Sequence, residues 1–195
     1  MDEISEHIIE QCRAGNTAAF AEIVRRYERP LFGYIYRLGC IPPAREPEDV
    51  VQEILVKVYQ SIQQYQSRDD CTFSTWLFSI ARNHCLSLMR RMKLELRVLR
   101  PLEKTDVSEF FGHESGPAEE VSRKEIKAQV AAAVAALPEA MRSAFILRYY
   151  EDMPYEGIAR VLDCNVGTVR SRLARARKAI QEFFEETGEK RRQEG

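Results

Sequence analysis

Glycine and proline are scarce, at 9 and 8 among 195 residues, which excludes collagen-like and low-complexity chains. Long apolar runs are missing too. The longest clean one, Val130 to Leu137, falls far short of the roughly 18–20 residues a membrane-spanning helix needs. The opening residues, Met1-Asp2-Glu3-Ile4-Ser5-Glu6, are acidic and carry no apolar segment, so a secretory signal is not expected. These absences lead to the expectation of a cytoplasmic protein with no direct membrane insertion.

The five cysteines are odd in number and contain no C-x-x-C, which argues against a disulfide framework and a zinc knuckle. Cys71, Cys85 and His84 are one candidate thiol or zinc cluster. On a helical wheel, however, His84 shares a face with Leu77, Ile80, Ala81 and Leu88, and reads as core. Catalytic signatures are lacking: there is no P-loop, G-x-S-x-G, H-E-x-x-H or G-x-G-x-x-G, and the three histidines are scattered. No enzyme activity, cofactor or metal is expected.

What is present is charge in blocks. The formal net charge is only -1. Residues 81–104 nevertheless carry 7 bases and 2 acids, and residues 142–178 carry 8 bases and 4 acids. The flanking blocks are acidic. Two separated basic blocks suit two separate contacts with nucleic acid.

The periodicity is almost entirely helical. Apolar residues recur near the 3.6 period from Ala18 to Arg37, and Gly39 with Pro42-Pro43 ends that helix. Pro47 suits the first position of the next, with Glu48 and Asp49 at its positive end. Val51, Leu55, Val58 and Ile62 form one buried stripe there. Ser74 or Thr75 starts a third helix. From residue 100 to 122 the pattern fails, which predicts a linker with Phe110-Phe111 as a possible anchor. The division is therefore 1–99, linker 100–122, a second helical domain 123–187, and a charged tail 188–195. The fold class is all-α, as two small helical domains.

Residues 155–173 predict a helix-turn-helix. Tyr155, Ile158, Ala159 and Leu162 line a short helix, Asp163-Cys164-Asn165 makes the turn, and Asn165 is a good N-cap for the second helix. That helix buries Val166, Val169, Leu173, Ala176 and Ile180. It opens Thr168, Ser171, Ala174, Arg175 and Lys178 to solvent, with Arg170, Arg172 and Arg177 on the flanks. Such a face can enter a major groove, where Arg and Ser read base edges while flanking arginines reach phosphates.

Four strings in order resemble one family: Asp49-Val50-Val51-Gln52-Glu53-Ile54-Leu55, Phe73-Ser74-Thr75-Trp76-Leu77, Leu137-Pro138-Glu139, and Val166-Gly167-Thr168-Val169-Arg170-Ser171-Arg172. They resemble bacterial RNA polymerase sigma factors of the extracytoplasmic-function (ECF) subgroup, over about residues 10–185. The resemblance implies a region-2 domain, a region-4 domain and no domain between. It implies that Asp49, Gln52 and Glu53 dock on the clamp helices of the large subunit of core RNA polymerase. It implies that Asn83 takes an unpaired base of the -10 element, and that Arg170, Ser171 and Arg175 contact the -35 element. Arg82, Arg90 and Arg91 suit the opened strand's phosphates. Tyr65 is expected to wall the base pocket, because aromatic faces stack on unpaired bases. Asp69 and Asp70, in the loop after it, would repel phosphate. Thr168, Arg172 and Lys178 complete the duplex-reading set. The family also implies promoter DNA and an anti-sigma factor as partners, the latter served by apolar residues such as Val56 and Leu86.

Two rivals remain at this point. One is a stand-alone helix-turn-helix regulator that dimerises on palindromic DNA. The other is a thiol or zinc sensor using Cys71, Cys85 and His84.

Overall fold

The computed structural model describes residues 3–67, 72–99 and 118–193. The described residues form helices α1 (Glu6–Arg13), α2 (Thr17–Leu38), α3 (Pro47–Ser61), α4 (Phe73–Leu99), α5 (Ala118–Ala136), α6 (Glu139–Tyr149), α7 (Tyr155–Val161) and α8 (Val166–Gln193), with a 3-10 turn at Ile62–Gln64. Among them there is no strand.

The boundaries follow local chemistry. Asn16 caps α2 by accepting hydrogen bonds from the Ala18 and Ala19 amides. Such a cap is worth about 1 kcal/mol. Gly39 ends α2 at φ 70°, and its amide returns to the Ile35 and Tyr36 carbonyls. A left-handed residue at that point is cheapest as glycine. Pro47 opens α3, where its missing N–H has no intrahelical partner to lose.

The first half is the bundle α1–α4. Ile23, Tyr27, Leu31, Tyr34 and Leu38 of α2 are fully buried at helical spacing. They meet the stripe of α3, where Val51, Leu55, Val58 and Ile62 are buried as the period predicts, joined by Val50 and Ile54. The helix α1, absent from the pattern reading, buries Ile9 and Cys12 against α2.

The second half is α5–α8. Its core is Val134, Leu137, Ala144, Ile146, Leu147, Ile158, Leu162, Val169 and Leu173. Helix α5 begins at Ala118, inside the stretch expected to be linker. Phe110-Phe111 and the Asp69-Asp70 pair lie outside the described residues.

The two halves, expected to work at a distance, are packed together and share one apolar core. Helix α2 contacts α5 and α6, and α4 contacts α7. The Tyr34 and Ser143 hydroxyls are hydrogen-bonded at 2.8 Å in the buried seam. Arg142 donates to the Leu38 carbonyl at 2.9 Å and to the Leu137 carbonyl at 2.8 Å, tying the end of α2 to the α5–α6 corner. The Arg37 guanidinium stacks on Tyr150 at 4.0 Å. Gly157 is the close approach between α7 and α4, where a Cβ would meet Thr75 Oγ1 at 3.0 Å and Met153 Cγ at 2.9 Å.

Candidate nucleic-acid interface and docking face

The helix-turn-helix forms as its sequence predicts. After α7 the chain turns through Asp163, at φ 48°. The Cys164 amide reaches back to the Ala159 carbonyl at 2.9 Å, and the Asp163 amide to the Arg160 carbonyl at 3.1 Å. This pair of bonds closes a helix at a left-handed residue. Asn165 caps α8, accepting from the Thr168 amide at 2.7 Å and the Thr168 hydroxyl at 3.0 Å.

Helix α8 buries Val169, Leu173 and Ala176, and its outer face is basic. Arg170, Ser171, Arg175 and Lys178 are exposed. Arg170, on the flank of the wheel, is exposed with them. Ser171 donates to the Thr168 carbonyl at 2.9 Å, which leaves its oxygen able to accept. Arg175 leans over Ser171, its Nη2 at 3.4 Å from the hydroxyl. Lys178 holds only a surface pair with Glu182 at 3.5 Å. Two members of the predicted set are less free. Arg172 is half-buried and reaches Cys164 Sγ at 3.5 Å, and Thr168 is engaged by the cap.

On α4, Asn83, Arg90 and Arg91 are exposed and Arg82 is half-buried. Asn83 lines a cleft of about 580 Å³ with Ser79, Arg82, Leu86 and Arg90. Its opposite wall is Arg160, Val161, Leu162 and Asp163, the end of α7 and the turn. The second half therefore stands directly over the α4 residues expected to meet DNA. The Nε of Arg82 is buried without a hydrogen-bond partner.

Tyr65 departs from expectation. It is 3% exposed and packs with Phe73 at 5.3 Å and Trp76 at 5.2 Å between ring centroids. In this state no base can stack on it, because both apolar neighbours lie across the loop in α4 and draw the ring inward. Arg13 also bonds to its carbonyl. Trp76, half-buried in this cluster, packs against the core.

Asp49, Gln52 and Glu53 share a shallow groove of about 480 Å³ with Arg45, Val56, Lys57 and Gln60. Asp49 and Gln52 are exposed. Val56 is a further exposed apolar residue there, at 53%. Glu53 is not free: Arg45 grips its carboxylate at 2.5 and 3.3 Å, and His84 Nε2 lies 3.0 Å away. The hydrogen bond from Arg45 holds the Glu53 carboxyl below its ordinary range. Burial pushes the His84 imidazole below its ordinary value, with Glu53 opposing.

Of the candidate Cys71–Cys85–His84 cluster, the described residues show only His84 and Cys85. Cys71 lies outside the described residues, His84 turns to Glu53, and Cys85 Sγ faces Cys40 Sγ at 2.8 Å. Among the described residues no group of three or more His, Cys, Asp or Glu could hold a metal ion. None of the described helices is long and apolar enough to cross a membrane.

Residues 23–94 match the family model for Sigma-70 region 2, and residues 127–180 match that for Sigma-70, region 4. The chain is 34% identical over 187 residues to the RNA polymerase sigma-H factor of Pseudomonas aeruginosa, covering 94% of this chain and 95% of that one. It is 34% identical over 178 residues to the ECF RNA polymerase sigma-E factor of Haemophilus influenzae, covering 89% and 92%. Its fold is similar to that of the sigma factor RpoE in a co-crystal with the anti-sigma factor NepR from Bartonella quintana. That match has a TM-score of 0.65 and 24% identity, and covers 85% of this chain and 96% of that chain. Two exposed basic surfaces and a groove on α3 thus sit in a chain that matches both regions in order. The chain belongs to the sigma-70 family of RNA polymerase sigma factors, in its ECF subgroup. It is a transcription initiation factor.

Proposed function

We propose that the chain divides promoter recognition among three faces. The groove of Asp49, Gln52 and Glu53 docks on the large-subunit clamp helices of core RNA polymerase. Asn83 receives an unpaired base of the -10 element, with Arg82, Arg90 and Arg91 along the strand. Arg170, Ser171 and Arg175 read the -35 duplex, and Lys178 holds phosphate. The polymerase performs the chemistry, in the cytoplasm, and this chain supplies address and strand capture. Boundaries at 1–99, 100–122 and 123–187 separate the two readers, with α5 of the second already begun at Ala118.

The observation that carries this reading is the exposure of Arg170, Ser171 and Arg175 on one face of a capped helix, in the same chain as an exposed Asn83 on a basic helix. Duplex reading by an Arg and Ser face needs a rigid helix. Capture of an unpaired base needs an amide beside cations. Because Asn83 and Asp163 line opposite walls of one cleft, the second half must swing away from α4 before both DNA elements are engaged. An anti-sigma factor fits as a regulatory partner that binds the closed chain and covers Val56 and its groove.

Run-off transcription tests this. Purified core polymerase on pooled genomic fragments, with and without the chain, is expected to give discrete new start sites preceded by a shared pair of motifs. Binding of the chain to duplex DNA as a dimer, with no new transcripts from active core enzyme, would favour the stand-alone regulator instead.

A further inference from the structure

We propose that Cys40 and Cys85 form a reversible disulfide site, oxidised by a hydroperoxide, whose access is controlled by the second half of the chain.

The placement of the two thiols carries this. Cys40 follows the left-handed Gly39 that ends α2, and Cys85 lies in the middle of α4. The sulfurs are 2.8 Å apart across 45 residues of sequence, both fully buried. A disulfide needs its sulfurs at about 2.05 Å, so closure asks for a shift of less than about 1 Å. The other described cysteines, Cys12 and Cys164, have no such partner thiol among the described residues. The hydrogen bond with Cys40, then burial, push the Cys85 thiol well above its ordinary range. In the closed chain Cys85 is therefore held as the thiol, the form that does not attack an oxidant.

The cover over the pair comes from α6. Ser143 of α6 is bonded to Tyr34, whose hydroxyl feels both thiols. Arg142 lies against Gly39 and bonds the Leu38 carbonyl, and Glu139 acts on Cys85. When α6 leaves α2, water and peroxide reach the sulfurs. One thiolate then attacks the peroxide O–O bond, giving a sulfenic acid and hydroxide. The second thiol displaces the sulfenic oxygen as water. In total two thiols and one H2O2 give one disulfide and two waters, the sulfurs losing the two electrons that break the O–O bond. A small thiol reverses the step. The bond would staple the end of α2 to α4, two residues from Asn83. The gating half of this proposal rests on the promoter reading above, in which the halves part; the disulfide half does not.

The reduced full-length chain is treated with hydrogen peroxide, alkylated and weighed, then digested with trypsin without reductant. The expected result is a chain that takes up two fewer alkyl groups than the reduced control and a cross-link between peptides 38–45 and 83–90, each with a single cysteine, reversed by dithiothreitol. Cys40→Ala and Cys85→Ala each abolish the cross-link, whereas C12S/C71S/C164S keeps it. No cross-link between these peptides, or one that joins other cysteines instead, overturns the site. For the gate, Ser143→Leu wedges the seam and Arg37→Ala removes the guanidinium on Tyr150. Each is expected to raise the oxidation rate several-fold with helical content unchanged. Unchanged rates in every folded variant of the two overturn the gate while leaving the site and the promoter reading standing.

Discussion

Tyr34 of α2 and Ser143 of α6 share a fully buried hydrogen bond at 2.8 Å between residues 109 apart in sequence. It lies buried in the seam between the two halves, which Arg142 on the Leu38 carbonyl and Arg37 on Tyr150 also bridge. Burial pushes the Tyr34 hydroxyl far above its ordinary range, with the Ser143 hydrogen bond opposing, so it stays neutral. The seam is consequently specific in register and yet free of ion pairs at its centre.

Breaking one side of this bond leaves a buried hydroxyl unpaired. Tyr34→Phe or Ser143→Ala alone is expected to cost about 1–3 kcal/mol in urea unfolding. The double variant is expected to cost less than the sum, with a coupling near 1 kcal/mol. Strict additivity would mean that the halves are apart in solution.

Glu151, 7% exposed in the turn after α6, has its carboxyl pushed up to about 7 by burial, with Arg37 across the seam opposing. A carboxyl raised above its unfolded value near 4.5 favours the protonated form in the closed chain. Its destabilisation is absent below pH 4.5, grows as pH rises toward 7, and is constant above. The full span is about 3 kcal/mol at 1.36 kcal/mol per pH unit. Glu151→Gln is expected to match the parent near pH 4.5 and to exceed it in unfolding free energy at pH 8. An equal gap at both pH values would contradict the assignment.

Asp163 holds φ 48° in the turn of the helix-turn-helix. Asp163→Gly is expected to stabilise the chain by about 0.5–1 kcal/mol, because glycine enters that region without a Cβ clash. Thermal unfolding beside Asp163→Asn, which removes charge but keeps a Cβ, separates backbone strain from electrostatics.

On α8 the roles differ by position. Arg175→Ala is expected to cost about 1–3 kcal/mol of binding on one promoter and to relax preference at one base position. Lys178→Ala is expected to weaken all sequences alike and to lower the salt slope by about 1. Titrations of holoenzyme at several salt concentrations make the distinction.

Much of this was legible in the sequence, for physical reasons. The stripe Val51, Leu55, Val58 and Ile62 needs only the helical period, and Asn165 and Gly39 are read from capping chemistry alone. Surface exposure of Arg170, Ser171 and Arg175 follows from the same wheel. What escaped was whatever depends on a partner far away in sequence. Tyr65 gives no local sign that Phe73 and Trp76 will enclose it. Glu53 looks like a free acid until Arg45 and His84 close on it. Cys40 and Cys85 are unrelated until α2 and α4 pack. The seam itself was hidden because nothing local pairs Tyr34 with Ser143, 109 residues away. Helix α1 was missed because eight residues carry too few periods to register.

The most direct test of the account is a footprint of the reconstituted holoenzyme on its promoter, by nuclease for the duplex and permanganate for unpaired thymines. The parent chain is expected to protect the -35 element and to expose reactive thymines at the -10 element. An R170A/R175A variant is expected to lose upstream protection and yet still open a promoter supplied with a pre-melted -10 segment. Asn83→Ala is expected to keep upstream protection and lose thymine reactivity. The opposite assignment of the two losses, or both losses from either variant in a holoenzyme that assembles normally, would contradict the division of promoter reading between α8 and α4.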